Sequence, residues 1–194
     1  VNRDDALLVK RCLDNDPEAV RALIARYQHN VFGLCFRMLG HRQDAEDVTQ
    51  EVFQRLFRNL ERWDPTRPLK PWLLKITANC CRSAIRSRIR HPQAAEFVEE
   101  VNSTEDRTDR LELQEELQHA LQLVREEYRL CFILYYQQEQ NCQQIAETLD
   151  CAPGTVKTWL YRVRLELAKI LERRGFGPVI ASATLSGQEK EAKS

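Results

Sequence analysis

Apolar residues along this chain recur every three or four positions. No stretch of useful length shows the strict alternation of a half-buried strand, so the pattern predicts an all-α fold. Asp16 followed by Pro17 is a helix-start signature, and Ala19, Val20, Leu23, Ile24, Tyr27, Val31, Leu34 and Cys35 then form one long apolar stripe. Gly40 and His41 interrupt it, after which Ala45, Val48, Val52, Phe53, Leu56 and Leu60 define a second long helix. Asp64 to Pro71, "DPTRPLKP", holds three prolines and is predicted as a loop, because proline lacks an N–H and constrains the residue before it. A helix is expected to restart at Trp72, with Trp72, Leu73, Ile76, Cys80 and Ile85 facing a core.

Beyond His91 the pattern fades. The segment 92–110 offers only Phe97, Val98 and Val101 as apolar content, too little to repay the entropy of ordering a core, and is read as a flexible acidic linker. Periodicity resumes at Leu111, and "EYRLCFILYYQQE" has the apolar density of a helix central to a second small core. Asn141 and Gln144 form a capping box for "CQQIAETL", "DCAPG" makes a tight connection, and "TVKTWLYRVRLELAKILERR" is a strong final helix. The expected organisation is two small helical domains, 1–91 and 111–174, held apart by the linker 92–110 and followed by a tail, 175–194, expected to lack fixed structure.

Charge sharpens this division. The formal net charge is zero, yet residues 66–94 carry seven basic residues and no acid, while residues 95–118 carry nine acids against two arginines. No apolar run approaches the roughly 20 residues of a membrane span. "VNRDDALLVKRC" lacks the order of a signal peptide, which gives the expectation of a cytoplasmic location. Seven cysteines form no CxxC pair, so buried or idle thiols are the default reading, with the vicinal Cys80 and Cys81 as the one redox or metal alternative. On the final helix, Val156, Leu160, Val163 and Leu167 bury one stripe. Thr155, Lys157, Thr158, Tyr161, Arg162 and Arg164 fall largely outside it, as on a helix that enters a major groove or on a solvated basic surface.

Three segments, "DAEDVTQEVFQRLF", "PWLLKITANCCRSAIRSRIR" and "QQIAETLDCAPGTVKTWLYRVRLELA", are similar in order and separation to the bacterial extracytoplasmic-function (ECF) sigma factors of the sigma-70 family. The resemblance covers about residues 3 to 172 and implies a sigma-2 helical bundle and a sigma-4 helix-turn-helix domain. It implies that Asp47, Gln50, Glu51 and Gln54 meet the clamp helices of the polymerase β′ subunit, and that the second domain meets the β flap. It further implies that the loop from Asp64 holds an extruded base, and that Arg67, Lys70, Asn79, Arg82, Arg86 and Arg90 contact the minus 10 element. Thr155, Lys157, Thr158 and Arg162 would contact the minus 35 element. The acidic linker is either a tether or a mimic of nucleic acid in a basic channel, and an anti-sigma factor is a further partner the resemblance allows.

Two positions depart from the family's pattern: Ser83, where many relatives carry aspartate, and Trp159, where arginine is frequent. Trp159 is read as packing beside Val156 and Val163 in preference to touching a thymine methyl, and Trp72 as core in preference to a stacking platform.

The expected activity is promoter-specific transcription initiation as a polymerase subunit. The alternative is a one-component helix-turn-helix regulator. No phosphate-binding loop, metal cluster or catalytic constellation is readable, so no enzyme activity and no cofactor are expected. Opening a bubble of about ten steps costs roughly 14 kcal/mol, and one captured base returns about 1 to 3. A chain of this kind therefore supplies specificity, and the polymerase supplies most of the work.

Overall fold

A computed structural model describes residues 3–90 and 109–176; of the predicted linker and tail, residues 92–108 and 177–194 lie outside the described residues, and the helix expected from Leu111 begins two residues earlier, at Asp109. Within them the chain is helical: α1 (Arg3–Leu13), α2 (Pro17–Leu39), α3 (Arg42–Arg58), a single 3-10 turn (Leu60–Arg62), α4 (Leu69–Arg90), α5 (Asp109–Leu123), α6 (Glu126–Tyr136), α7 (Cys142–Leu149) and α8 (Pro153–Arg173). The all-α expectation holds. Helix α1 was not anticipated, since its short stripe is diluted by charge. It is fastened by Asp5, which is buried and accepts hydrogen bonds from Arg26 Nη1 and Tyr27 Oη of α2, both at 2.7 Å.

The starts and stops obey local chemistry. Asp16 Oδ1 accepts from the Glu18 and Ala19 N–H groups at 2.9 and 3.4 Å, satisfying donors that α2 leaves open, with Pro17 at its first position. Gly40 ends α2 in the left-handed region at φ +75°, and its N–H donates to Phe36 O at 2.8 Å. An added Cβ at Gly40 would also lie 2.8 Å from the Gln122 side chain, which would have to shift to admit it. Two sequence expectations need correction at α4. The helix begins at Leu69, so Pro71 sits in its first turn, where a missing N–H costs nothing. The buried stripe is rotated: Leu69, Leu73, Leu74, Thr77, Ala78, Cys80 and Cys81 are interior, while Trp72, Ile76 and Ile85 are half-buried. The rotation follows from neighbours on two sides, α2 and α3 on one and α7 on the other.

The larger departure concerns the two halves, which are packed together. One buried apolar cluster runs from α1–α4 into Leu130, Ile133 and Leu134 of α6, Ile145 and Leu149 of α7, and Val156 and Leu160 of α8. A second, smaller cluster joins α5, α6 and α8 through Leu121, Tyr128, Val163 and Leu167. At the rim, donors from the second half meet carbonyls at the end of α2: Gln118 Nε2 to Phe36 O (3.2 Å), Gln122 Nε2 to Arg37 O (2.8 Å) and Arg129 Nη1 to Met38 O (2.6 Å). Arg129 is buried and also donates to Gln122 Oε1 and to the carbonyls of Gln122 and Val124, at 2.7, 2.9 and 3.2 Å. Arg129→Leu strands these acceptors away from water and is expected to lower stability by about 3 kcal/mol. A urea-unfolding series tests this, with Arg129→Lys restoring part of the loss.

Candidate nucleic-acid and partner interfaces

The chemistry predicted from sequence falls on three faces. The first is the outer side of α3. Ala45, Val48, Val52, Phe53 and Leu56 are buried, so positions 47, 50, 51 and 54 emerge together opposite them. Asp47, Gln50 and Gln54 are exposed and Glu51 is half-exposed. Their partners are local: Glu51 pairs with Arg55 one turn on, and Gln43 donates to Asp47 at 3.4 Å. Surface pairs of this kind contribute at most about 0.5 kcal/mol, so they exchange readily for an outside cation. The structure thus groups all four predicted residues on one acidic and amide face.

The second face is built by the loop before α4 and by α4 itself. Asp64 Oδ1 accepts from the Thr66 N–H at 2.9 Å and from Thr66 Oγ1 at 2.6 Å, which fixes the loop and holds the Asp64 carboxyl below the usual range. Arg67 lies 3.8 Å from Asp64 and is otherwise exposed. Arg86 and Arg90 are exposed near the end of α4, as is Asn79. Lys70 and Arg82 are half-buried and engaged by the second half. Lys70 Nζ donates to Gln138 O at 3.1 Å, and Arg82 pairs with Glu126 at 3.3 Å.

Beside this loop lies an open cleft of about 290 Å³ lined by Arg55, Asn59, Arg62, Trp72, Ile76 and Asn79. Two guanidinium groups, two amides and an indole are the donor set and stacking surface that an unpaired nucleotide requires. Trp72 is half-buried; it packs against the core and also lines the cleft, so both sequence alternatives stay available to it. Arg55, Asn59 and Arg62 were missed. Their signal was present: they are spaced four and three, as are Trp72, Ile76 and Asn79 across from them.

The third face is α7 and α8. The predicted capping box is complete, with Asn141 Oδ1 accepting from Gln144 N at 2.9 Å and Gln144 Oε1 accepting from Asn141 N at 3.0 Å. Asp150 closes α7 in the left-handed region at φ 56°, and Pro153 opens α8. Val156, Leu160, Val163 and Leu167 are buried as predicted, leaving Lys157, Thr158, Tyr161 and Arg162 exposed and Thr155 half-buried. Thr158 Oγ1 donates to Gly154 O at 3.0 Å, which orients its hydroxyl, and Arg162 Nη1 donates to Tyr128 Oη at 3.1 Å. Trp159 is half-buried between the two apolar clusters, its ring centroid 6.5 Å from that of Tyr128, in keeping with packing.

Five of the seven cysteines are buried, and Cys142 and Cys151 are half-buried. Cys80 and Cys81 are buried; burial pushes the Cys80 thiol up to about 11, and the neighbouring Cys35 thiol, 3.8 Å away, together with burial holds Cys81 well above its ordinary value. Among the described residues no group of three His, Cys, Asp or Glu side chains could hold a metal ion. No described helix is long and apolar enough to cross a membrane.

Comparison with known proteins falls on the same segments. The family described as Sigma-70 region 2 matches residues 23–91, and that described as Sigma-70, region 4 matches residues 114–167. The chain is 29% identical to the ECF RNA polymerase sigma factor SigW of Bacillus subtilis, over 84% of this chain and 94% of that protein. It is 28% identical to the RNA polymerase sigma-H factor of Pseudomonas aeruginosa, over 87% and 94%. Among solved structures it resembles the sigma factor RpoE of Bartonella quintana, crystallised with the anti-sigma factor NepR, at TM-score 0.67 and 23% identity, covering 78% of this chain and 96% of that one. It also resembles CnrH in complex with the cytosolic domain of CnrY, at TM-score 0.66 and 23% identity, covering 87% and 97%.

If the cleft takes a base, Trp72→Leu raises the dissociation constant for a single-stranded oligonucleotide roughly 5- to 150-fold, the range for loss of one stacked base. Arg62→Gln flattens the salt dependence of binding by about 0.7 in log–log slope. Fluorescence anisotropy across a salt series measures both.

Proposed function

The chain belongs to the ECF sigma factors of the sigma-70 family, and we propose that it binds core RNA polymerase and directs it to promoters through two separate DNA contacts. The observation that carries this reading is the presence on one chain, in order, of both family regions, each falling on a face of matching chemistry.

The division of labour follows from the residues. The acidic face of α3, with Asp47, Gln50, Glu51 and Gln54, suits a basic partner helix and is the proposed docking site for the polymerase clamp. The loop from Asp64, the adjoining cleft and the cations of α4 form the proposed minus 10 reader. Phosphate contacts from Arg67, Lys70, Arg82, Arg86 and Arg90 would hold the non-template strand while the cleft takes an unstacked base and Asn79 meets a base edge. Helix α8 is the proposed minus 35 reader, with Lys157 and Arg162 on phosphates or guanine and the hydroxyls of Thr155 and Thr158 on base edges. Trp159 packs half-buried against both apolar clusters where many relatives place an arginine, and the sequence preferred by α8 is expected to differ accordingly. This reading assigns the chain recognition and leaves bond-making to the polymerase. The protein contributes address, and strand separation draws on polymerase and downstream DNA contacts.

Run-off transcription with core polymerase, followed by genome-wide start-site mapping, tests the class. Promoter-directed transcripts are expected only when the chain is added, whereas a one-component regulator would bind duplex DNA and leave core polymerase undirected. Glu51→Arg is expected to weaken core binding at least about tenfold, the equivalent of roughly 1.4 kcal/mol, and to abolish run-off product. Thermal midpoint should shift by only a few degrees, since the change removes one surface pair. Surviving transcription from this variant would show that the clamp assignment is wrong.

A further inference from the structure

We propose that Cys35 and Cys81 form a modification site, a buried dithiol between α2 and α4 that hydrogen peroxide converts to a disulfide. It stands apart from the polymerase and DNA assignments, because neither cysteine belongs to those sets.

The pairing is made by the fold. The two cysteines are 46 residues apart in the chain, yet Cys81 Sγ donates to Cys35 Sγ at 3.8 Å, and both side chains are fully buried. The vicinal Cys80 and Cys81, the redox alternative read from sequence, are the wrong pair. Neighbouring side chains on a helix diverge by about 100°. Cys80 lies under the influence of Arg55 and Glu51 of α3, whereas Cys81 meets Cys35 of α2. A third polar group adjoins the pair: Thr49 Oγ1 of α3 is buried near Cys35 and finds no other hydrogen-bond partner among the described residues.

The two thiols are not equivalent. The hydrogen bond from Cys81 holds the Cys35 thiol below its ordinary value; burial opposes this and the Thr49 hydroxyl adds to it. That same hydrogen bond, with burial, keeps Cys81 protonated. A sulfur with thiolate character beside a protonated one suits stepwise oxidation. The Cys35 thiolate attacks one peroxide oxygen, the O–O bond breaks, and a sulfenic acid forms as hydroxide leaves with the former Cys35 proton as water. The Cys81 sulfur then displaces the sulfenic hydroxyl, which departs with the Cys81 proton as a second water, and the S–S bond closes. Two thiols are oxidised and one peroxide is reduced to two waters. Closure needs the sulfurs to approach by roughly 1.8 Å, a distance that two side-chain rotations share. Peroxide is neutral and nearly as small as water, so it reaches the pair through brief local openings, while close packing keeps larger oxidants out.

The bridge would clamp α4, which carries the exposed Arg86 and Arg90, to the 23-residue α2. The test treats the reduced full chain with hydrogen peroxide, then denatures, alkylates and digests it with trypsin for mass spectrometry. A peptide bearing Cys35 should be recovered joined to the one bearing Cys80 and Cys81, and dithiothreitol should release it. Because that second peptide holds two cysteines, variants assign the partner: Cys80→Ser keeps the cross-link and Cys81→Ser loses it. In Cys81→Ser the sulfenic acid on Cys35 has no partner thiol and is trapped by dimedone, whereas Cys35→Ser gives no dimedone adduct at Cys81. The thermal midpoint of the oxidised chain should rise by roughly 10 °C, as for closing a loop of this length, and return on reduction.

Recovery of Cys35 fully alkylated under excess peroxide, or cross-links that leave it out, would overturn the proposal and leave two thiols that only pack together. A cross-link that survives Cys81→Ser overturns the assignment of the partner, and a midpoint that stays or falls refutes the clamp. If a variant loses helix content, the unaltered chain still decides, since presence or absence of the reducible Cys35 cross-link is read there directly.

Discussion

A helix of 23 residues ends with carbonyl groups that have no partner inside it, and in α2 the remedy comes from the other half of the chain. Gly40 returns one N–H to Phe36, and Gln118, Gln122 and Arg129 bring donors from α5 and α6. The arrangement places Arg129 in the interior as a charged fork whose partners are mainly backbone oxygens, not carboxylates. Carbonyls do not move independently of the helices that carry them, so this fork sets the position of α6 against α2. From that position follow the burial of Leu130, Ile133 and Leu134 and the seating of α7 on α4.

The three candidate faces bear different relations to this frame. The acidic face of α3 and the exposed side of α8 point outward and are complete in the packed form. The basic face of α4 and the loop before it is split between an outer part, with Arg67, Asn79, Arg86 and Arg90, and an inner part, with Lys70 and Arg82, already occupied by protein. A chain with no net charge can in this way carry a strongly cationic helix in solution, because part of its charge is answered from within.

Much of this was legible in the sequence because periodicity, caps and turns are local. Asp16–Pro17, Gly40, the Asn141–Gln144 box and the stripe on α8 each declare themselves within a few residues, and each stands where it was read. The errors arose where tertiary context overrode local pattern. Pro71 looked like the end of a loop because a proline tolerated in a first turn reads like one that forbids a helix. The interior of α4 includes Thr77 and Cys81, residues whose burial depends on a second neighbour absent from any one-sided stripe. The packing of the two halves was illegible for a similar reason. Glutamine and arginine donating to backbone carbonyls leave no signature at the receiving positions, since every residue has a carbonyl. The cleft was within reach of sequence, had the matched four-and-three spacings of Arg55, Asn59 and Arg62 and of Trp72, Ile76 and Asn79 been compared with each other.

Gly40 joins requirements that are usually separate. Its left-handed backbone redirects the chain from α2 into the helix that offers the acidic face, and its bare α-carbon leaves the room that Gln122 fills. One missing methyl group therefore serves both the aim of one interface and the closeness of another. Any heritable change at this codon would alter both together, so the direction of α3 and the fit between the halves are bound to vary as a single trait.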